Sequence, residues 1–182
     1  MVKRFTVFLI LALGLSFGIY KLFIQKAPAL VMKDFDKQRD TQFILDIFKD
    51  NYYWLVDESS TEFSPQYMMD NFAPNHKPED LGKLTIKVLY CGHTPVGFTA
   101  YWMRKFYEGH IIFVAIKKEF RCKGYAQLMV NYAFNDLASR DATVVRLITR
   151  ITNYAGNKLY PTCGFKEYLR EDGYVYYQKE VR

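Results

Sequence analysis

The chain has 182 residues, enough for one domain with a sizeable core, and its 50% hydrophobic and 18% aromatic content argues against disorder. The net charge of +6 comes from Lys and Arg spread along the chain without a long basic block. This pattern indicates a solvated surface with a few charges available to a phosphate-bearing cofactor, and gives no reason to expect a nucleic-acid partner. The three cysteines lack both a disulfide framework and metal-ligand spacing, which predicts reduced thiols and no metal site.

Residues 1–27 form a separate hydrophobic segment. From Phe5 to Ile24 the chain is strongly apolar, and with Lys21 snorkelling it reaches about 20 residues, enough to cross a bilayer. We predict a single-pass membrane anchor ahead of a domain at residues 28–182. A cleaved signal peptide and a packed or interfacial helix are the alternatives. More Lys and Arg follow the segment than precede it, which favours a cytoplasmic domain.

Hydrophobic periodicity gives the first half of this domain. A strand, a helix capped at Asp40 or Thr41, a second short helix and a hairpin with a bulge at Gly97 are predicted in that order. Their ranges are 30–35, 41–51, 65–72, 84–90 and 96–106. Between the two helices stands an aromatic stretch at 52–54, which indicates core packing or the wall of a substrate pocket.

The second half begins with a nearly unbroken apolar run, Ile111 to Ile116, typical of a strand buried on both faces. A charged turn and Gly124 lead into a helix whose apolar positions recur on one face from Tyr125 to Leu137. A buried strand, a short helix that Pro161 ends or distorts, and a final hairpin complete the chain. These lie at 143–151, 157–162, 165–169 and 175–179.

The strand, basic turn and helix suit a bound phosphate. A helix N-terminus presents unpaired backbone N–H groups and the positive end of the helix dipole, and a glycine lets the backbone approach an anion. The turn is neither a Walker loop nor the G-x-G-x-x-G of a dinucleotide fold.

Two sequence blocks resemble a known family. Residues 121–126, RCKGYA, resemble the [RQ]-x-x-G-x-[GA] turn of the GCN5-related N-acetyltransferases (GNAT), and residues 153–165 resemble that family's N-(x)6-Y-(x)3-G-F segment. The blocks stand in the right order and at about the right separation, within a resemblance that covers residues 31–179. The resemblance implies a mixed α+β fold, in which a central, mostly antiparallel sheet is flanked by helices. It also implies transfer of an acetyl group from acetyl-CoA to a primary amine by direct attack.

The resemblance also implies a cofactor site. Backbone groups of the turn would hold the pyrophosphate, and the main chain of the central strand would pair with the pantetheine arm; the Val114 N–H would also polarise the thioester carbonyl. Asn153 would contact the cofactor arm or, in the alternative, cap the short helix. The residues of this predicted site are Val114, Ile116, Arg121, Cys122, Lys123, Gly124, Tyr125, Ala126 and Asn153.

Three residues are candidates for proton transfer. Tyr160 matches the family's tyrosine near the thiol, where it would protonate the leaving thiolate, although simple packing is the alternative. His110 stands where histone-type members carry a glutamate, which puts histone-type acetylation in doubt, and Glu108 is a second candidate base. Ordered water serves instead in many relatives. Pro161, where the family often has glutamate, could bend the helix that carries Tyr160.

Two other functions remain open at this stage. One is a non-catalytic acyl-CoA-binding or scaffold domain with the same fold, which an absence of turnover would reveal. The other is transfer of a longer acyl group to lipid-proximal or peptide acceptors. The acceptor is expected to be a small molecule or a protein amine, and the sequence does not identify it. It does not indicate the oligomeric state either.

Overall fold

The computed structural model describes residues 28–56, 63–69, 84–105 and 107–182. The predicted hydrophobic segment at residues 1–27 lies outside them, as does the end of the second predicted helix near Phe72. Within the described ranges, no helix is long and apolar enough to cross a membrane. The membrane anchor and the cytoplasmic location therefore stay predictions.

The elements follow the predicted order. In the described part of the chain the strands are β1 (Leu30–Asp34), β2 (Thr85–Cys91), β3 (Thr94–Lys105), β4 (Glu108–Ile116), β5 (Val144–Arg150), β6 (Lys166–Glu171) and β7 (Tyr174–Glu180). The helices are α1 (Lys37–Leu55), α2 (Pro65–Met69), α3 (Tyr125–Ala138) and α4 (Tyr154–Thr162), with one short 3-10 turn at Lys118–Phe120.

All seven strands form one sheet in the order β1-β2-β3-β4-β5-β7-β6. Every neighbouring pair is antiparallel except β4 and β5, which are parallel. The expected mixed fold with a mostly antiparallel sheet is thus confirmed. A parallel pair needs a crossover connection, and α3 supplies it.

Helices cover both faces of the sheet. On one face α1 and α2 pack over β2, β3 and β4, where Phe48, Phe98 and Phe113 meet with ring centroids 5.2 to 6.5 Å apart. On the other face α3 packs over β3, β4 and β5, and the segment after α4 completes this second core through Phe165. Alternate residues of β3 point to the two cores, as the period of a strand requires.

A bulge in β4 changes which face its side chains reach. Ala100 pairs with Phe113 but Tyr101 pairs with Ile111, which leaves Ile112 as an extra residue. Ile111 therefore packs in the core beneath α3 while Phe113 packs in the core beneath α1, although residues two apart normally share a face. The predicted burial of β4 on both faces is confirmed.

Helix α1 is longer than the sequence predicted. Asp36, not Asp40 or Thr41, caps it by accepting a hydrogen bond from the Arg39 N–H at 2.9 Å. Asp40 is fully buried instead, where its carboxylate accepts bonds from the Arg39 side chain, the Tyr90 hydroxyl and the Asp36 N–H. The prediction failed because an aspartate near a helix start has the same preference for either position.

Other boundaries differ in detail. Helix α1 runs through the aromatic stretch to Leu55, with a kink at Asn51 (φ −133°, ψ 17°). Helix α4 begins at Tyr154 and keeps Pro161 within its last turn. The bulge predicted at Gly97 lies one residue earlier, at Val96. Gly97 serves another purpose, since a Cβ there would lie 2.6 Å from the Ala115 carbonyl oxygen.

Candidate active site

The sheet opens into a fork between β4 and β5. The two strands pair at only three positions among the described residues, and the last of them joins His110 to Arg146. Beyond this point β4 continues to Ile116 and β5 to Arg150 without pairing to each other. The fork therefore leaves the inner edge of β4 available to a bound molecule.

The main chain of Val114 and Ile116 faces this opening. Next to them the Lys117 N–H donates to the Val96 carbonyl of β3 at 2.9 Å. Because backbone groups of successive residues point to opposite edges of a strand, those of Val114 and Ile116 point away from β3 and into the fork. The two residues that the sequence assigned to the pantetheine arm thus have the required orientation.

At the end of β4 the chain turns into α3 with a left-handed backbone. Cys122 has φ +60° and Gly124, the N-cap of α3, has φ +79°. The N–H of Leu128 is bonded to the Gly124 carbonyl at 3.1 Å, whereas the N–H groups of residues 122–127 make no backbone hydrogen bond to a described residue. A Cβ at Gly124 would meet nothing within 4 Å, so the glycine is there for its conformation and the space beside it is open. This geometry suits an anion.

Arg121 is used inside the protein more than the sequence suggested. Its Nε donates to the Ile116 carbonyl at 3.1 Å and its Nη2 donates to Asn51 Oδ1 at 2.6 Å. The arginine therefore joins the turn, the end of β4 and the kink of α1. Since two of its donor groups are engaged in this way, Arg121 offers a ligand less than a free guanidinium would.

The other predicted turn residues have separate environments. Lys123 is exposed, and its ammonium lies 5.2 Å from the ring of Phe120. Tyr125 and Ala126 are half-buried in the first turn of α3. Cys122 is exposed, and none of the three cysteines forms a disulfide. Among the described residues no group of three or more His, Cys, Asp and Glu could hold a metal ion.

Asn153 caps α4 in the way the alternative interpretation foresaw. Its Oδ1 accepts the Gly156 N–H at 3.1 Å, and its Nδ2 donates to Thr149 Oγ1 at 2.9 Å. Both ends of the amide are therefore committed to the junction between β5 and α4. One Nδ2 hydrogen remains for a ligand, so contact with a cofactor arm stays a prediction.

Tyr160 lies on α4 between two aromatic rings. Its centroid is 5.6 Å from that of Tyr177 and 6.4 Å from that of Phe165. The phenol oxygen makes no hydrogen bond to a described residue. Burial raises the pKa of Tyr160 to about 12. The phenol is therefore protonated at neutral pH and can donate a hydrogen bond, but it is a weaker acid than its reference pKa suggested.

His110 and Glu108, which the sequence offered as separate candidates, form one pair. Their side chains project from the same face of β4, and His110 Nε2 lies 2.5 Å from Glu108 Oε1. Burial lowers the pKa of His110 below 6.5, against the effect of its hydrogen bond to Glu108, so the ring is neutral at pH 7. If Nε2 carries the hydrogen of that bond, Nδ1 holds the lone pair that accepts a proton.

The hydrogen bond with His110 and two nearby arginines keep the carboxylate of Glu108 ionised. Arg146 Nη1 lies 3.2 Å from Oε2, and Arg104 Nη1 lies 3.9 Å from Oε1. Burial alone would raise the pKa of Glu108, but the hydrogen bond with His110 and the neighbouring positive charges hold it below its ordinary value. Glu108 thus orients the imidazole as an anion and is not itself free to act as the base.

A cleft of about 430 Å³ opens above His110 on the α1 side of the fork. Its walls are the C-terminal end of α1, the C-terminal end of β3, the first half of β4, and the strands β5 and β7. They are mostly aromatic or aliphatic, with Trp54, Phe63, Trp102, Tyr174 and Tyr176 among them. A larger groove of about 660 Å³ between α3 and β7 contains none of the candidate catalytic residues.

Arg150 closes one side of this cleft, and the sequence analysis did not identify it. Its Nε donates to the Tyr53 carbonyl at 2.8 Å and its Nη2 to the Val56 carbonyl at 3.0 Å. The guanidinium also lies 4.4 Å from the Tyr53 ring and 5.4 Å from the Tyr174 ring. Arg146 and Arg150 stand four residues apart in β5, and the two-residue period of a strand is the signal that could have placed both on one face.

A protein-family model matches most of this chain. The family model described as "Acetyltransferase (GNAT) family" matches residues 42–165. Comparison with curated proteins gives no match.

Several solved structures share the fold. The PaiA N-acetyltransferase of Thermoplasma acidophilum, in complex with coenzyme A, is 13% identical with a TM-score of 0.69, over 84% of this chain and 99% of that one. Ard1 from Thermoplasma volcanium is 18% identical with a TM-score of 0.64, over 85% and 99%. The ribosomal-protein-S18-alanine N-acetyltransferase of Escherichia coli is 13% identical with a TM-score of 0.62, over 84% and 94%. At these identities the likeness shows the fold.

Proposed function

The chain belongs to the acetyltransferase (GNAT) family of acyltransferases, and from this premise we propose that it transfers an acetyl group from acetyl-CoA to a primary amine. The amine attacks the thioester directly, within the fork between β4 and β5. The observation that carries the proposal is the fork itself. It presents the backbone of Val114 and Ile116 at its inner edge and ends in the left-handed turn at Gly124.

On the acyl-CoA side most of the proposed contacts are made by the main chain. The N–H groups at the start of α3 face open space beside Gly124 and would bind the pyrophosphate, with Lys123 as an exposed cation nearby. The backbone of Val114 and the N–H of Ile116, whose carbonyl already accepts a bond from Arg121, would pair with the pantetheine arm as an added strand does. The Val114 N–H would hydrogen-bond the thioester oxygen and stabilise negative charge there during attack.

On the amine side His110 accepts the proton. A neutral imidazole at the fork, held by the Glu108 carboxylate, takes a proton from the acceptor nitrogen as the C–N bond forms. The C–S bond then breaks, and the products are an amide and the free thiol of coenzyme A. The thiolate gains its proton from water, and His110 returns the proton of the amine to solvent.

Tyr160 acts by donating a hydrogen bond to the leaving sulfur. A phenol with a pKa of about 12 does not give its proton readily to a thiolate in water, where the reference thiol pKa is about 8.5. The same burial that weakens the acid also removes water from the thiolate and makes it more basic. A hydrogen bond that strengthens as charge grows on sulfur is therefore the role that the surroundings of Tyr160 support.

The acceptor is a small molecule or a protein amine. Among proteins of this fold, the Escherichia coli enzyme named above is an acetyltransferase of a ribosomal-protein alanine. The acceptor would enter through the cleft above His110, which leads to the fork from the side opposite α3. Its amine must be neutral in order to attack the thioester.

The test is transfer measured at both products. The full-length chain is incubated with acetyl-CoA and a panel of amines, while thiol release and the mass of the acetylated amine are recorded. We expect thiol release that requires the amine and saturates with it. Binding of acetyl-CoA without transfer to any amine would contradict catalysis and favour a scaffold with the same fold. Faster transfer from acyl-CoA molecules with longer acyl chains would mean that acetyl-CoA is not the preferred donor.

A further inference from the structure

The charged side chains that line the cleft above His110, among the described residues, are all basic. The basic residues of this cleft in the described part of the chain are His110, Arg104 and Arg150, and none of the Asp and Glu residues of that part lines it. Glu108, the carboxylate beside His110, already contacts His110 and Arg146. Among the described residues, an acceptor with several positive charges would meet two arginines and no free counter-charge, and such mismatches select against binding.

Arg104 is the cation best placed to meet a ligand. Its side chain is 47% exposed, and its only ionic partner among the described residues is Glu108 at 3.9 Å, a distance at the limit of an ion pair. Arg146, in contrast, contacts Glu108 at 3.2 Å, lies 3.4 Å from Gln178 Oε1, and stacks over Tyr168. Arg104 can therefore bind an anion without losing a strong internal contact.

The position of Arg104 relative to the base adds a geometric constraint. Arg104 Nη1 and His110 Nε2 both approach the same atom, Oε1 of Glu108, at 3.9 and 2.5 Å. The guanidinium and the imidazole are thus close neighbours. Both residues line the same cleft, so a carboxylate close to an amine that contacts His110 is within reach of the long side chain of Arg104.

The rest of the cleft is suited to an apolar body. Trp54, Phe63, Tyr174 and Tyr176 line it together with aliphatic side chains of β4 and β5. Arg150 holds the Trp54 end of α1 in place through the carbonyls of Tyr53 and Val56. Aromatic walls of this kind bind flat or branched apolar groups in a volume of about 430 Å³, within the usual range for small-molecule sites.

From these contacts we infer that the acceptor is an amino-acid-like amine. It carries a carboxylate on the carbon next to its primary amine and an aromatic or bulky apolar side chain. Arg104 binds the carboxylate, His110 takes the proton from the amine, and the aromatic walls hold the side chain. The inference rests on the proposed function and names its substrate class. It places polyamines among the poorest acceptors.

The test compares three amines with the full-length chain and acetyl-CoA. Phenylalanine carries the carboxylate, phenylalaninamide replaces it by a neutral amide, and spermidine carries only positive charge. We expect kcat/KM for phenylalanine to exceed that for phenylalaninamide by about tenfold or more, and spermidine to be slowest. The less basic amine of phenylalaninamide favours the amide chemically, so it works against the expected result.

Arg104→Gln should abolish this preference. Its kcat/KM ratio of phenylalanine to phenylalaninamide should fall to about one, while the calorimetric Kd for acetyl-CoA and the thermal midpoint stay unchanged. Any change that the lost charge causes at His110 affects both amines alike and cancels in the ratio. Arg170→Gln, at an exposed arginine paired with Glu167 on edge strand β6, is the matched control and should keep the wild-type ratio.

Each other outcome overturns the inference. A wild-type preference for phenylalaninamide or spermidine, or a preference for phenylalanine that survives in Arg104→Gln, removes Arg104 as the carboxylate site. A protein that binds acetyl-CoA and acetylates other amines but none of these three has a different acceptor class, and the proposed function stands. Failure of the folded chain to bind acetyl-CoA overturns the proposed function and this inference together.

Discussion

The two sides of the fork are built in different ways. On the acyl-CoA side, most candidate contacts are backbone groups of one continuous stretch, from Val114 through the turn to the first turn of α3, and Asn153 is the candidate outside it. On the amine side, they are side chains from α1, β3, β4, β5 and β7, which lie far apart in the sequence. One side depends on backbone conformation and the other on side-chain identity.

This difference explains why one side was readable from the sequence. A backbone site needs a glycine where φ is positive and a fixed spacing before the helix, and both leave a short motif. A side-chain site needs only that its members meet after folding. We therefore expect substitutions on the acyl-CoA side to change acyl-CoA affinity and substitutions on the amine side to change the kinetics with the amine.

The largest effect on rate is expected at Tyr160, the proposed hydrogen-bond donor to the leaving sulfur. Tyr160→Phe should lower kcat by about 100-fold and leave the Kd for acetyl-CoA within about twofold, because the phenol acts only as charge grows on sulfur. Stability should change little, since the oxygen has no hydrogen-bond partner among the described residues. Steady-state kinetics and calorimetry provide both values.

Tyr154→Phe is the matched control for this prediction. It makes the same change at the start of the same helix, on a side chain that is 82% exposed, and should leave kcat unaltered. A Tyr160→Phe variant with wild-type kcat would reduce Tyr160 to a packing residue and leave water as the proton donor.

A smaller effect with a distinctive pH dependence is expected at His110. Burial holds the pKa of His110 below 6.5, so kcat at saturating amine should be level near pH 7 and fall as pH drops below the pKa, where the ring becomes protonated. His110→Gln should lower kcat at neutral pH by about 20-fold and remove this acid limb. Glu108→Gln should move the limb to lower pH, because it removes the carboxylate charge that raises the pKa of His110.

His93→Gln, in the exposed β2–β3 turn, should keep both the rate and the limb. An acid limb that persists in His110→Gln would mean that another group or a bound water accepts the proton.

The smallest effect is expected at Arg150, which acts only on the amine side. Arg150→Ala should raise KM for the amine by about fivefold without changing the Kd for acetyl-CoA, because the end of α1 loses the arginine that holds two of its carbonyls. Arg170→Ala is the control, since that arginine lies on the exposed edge strand. Equal losses in amine KM and acetyl-CoA Kd would show that the two sides are not separable.

The sequence predicted the fold better than the amine side of the site. The order of elements, the burial of β4 and the turn before α3 follow from local periodicity and one glycine. The hydrogen bonds of Arg150 to the end of α1 and the contact of Arg146 with Glu108 join elements that are distant in the sequence. The Glu108–His110 pair is local to β4, but its partner arginines and its place in the cleft appear only in the folded chain. Local patterns also misplaced the cap of α1, because Asp36 and Asp40 have the same capping preference and only burial beside Tyr90 separates them.

Some properties of single residues also required the structure. Tyr160 has a reference pKa near 10, but its position between Tyr177 and Phe165 raises that value to about 12. Arg121 looked like a free charge in the motif, but its contacts with Ile116 and Asn51 show that it also supports the turn.

The central claim is that the turn at Gly124 binds the pyrophosphate of acetyl-CoA, and calorimetric titration of the full-length chain tests it most directly. Gly124→Glu places a carboxylate in the open space beside the α3 N-terminus. Gly173→Glu, in the β6–β7 turn at φ +82° with nothing within 4 Å of its Cβ, introduces the same charge and the same backbone strain elsewhere. We expect binding by the wild type and Gly173→Glu, and a loss of about 100-fold or more in Gly124→Glu. Equal affinity in all three folded proteins would contradict the account.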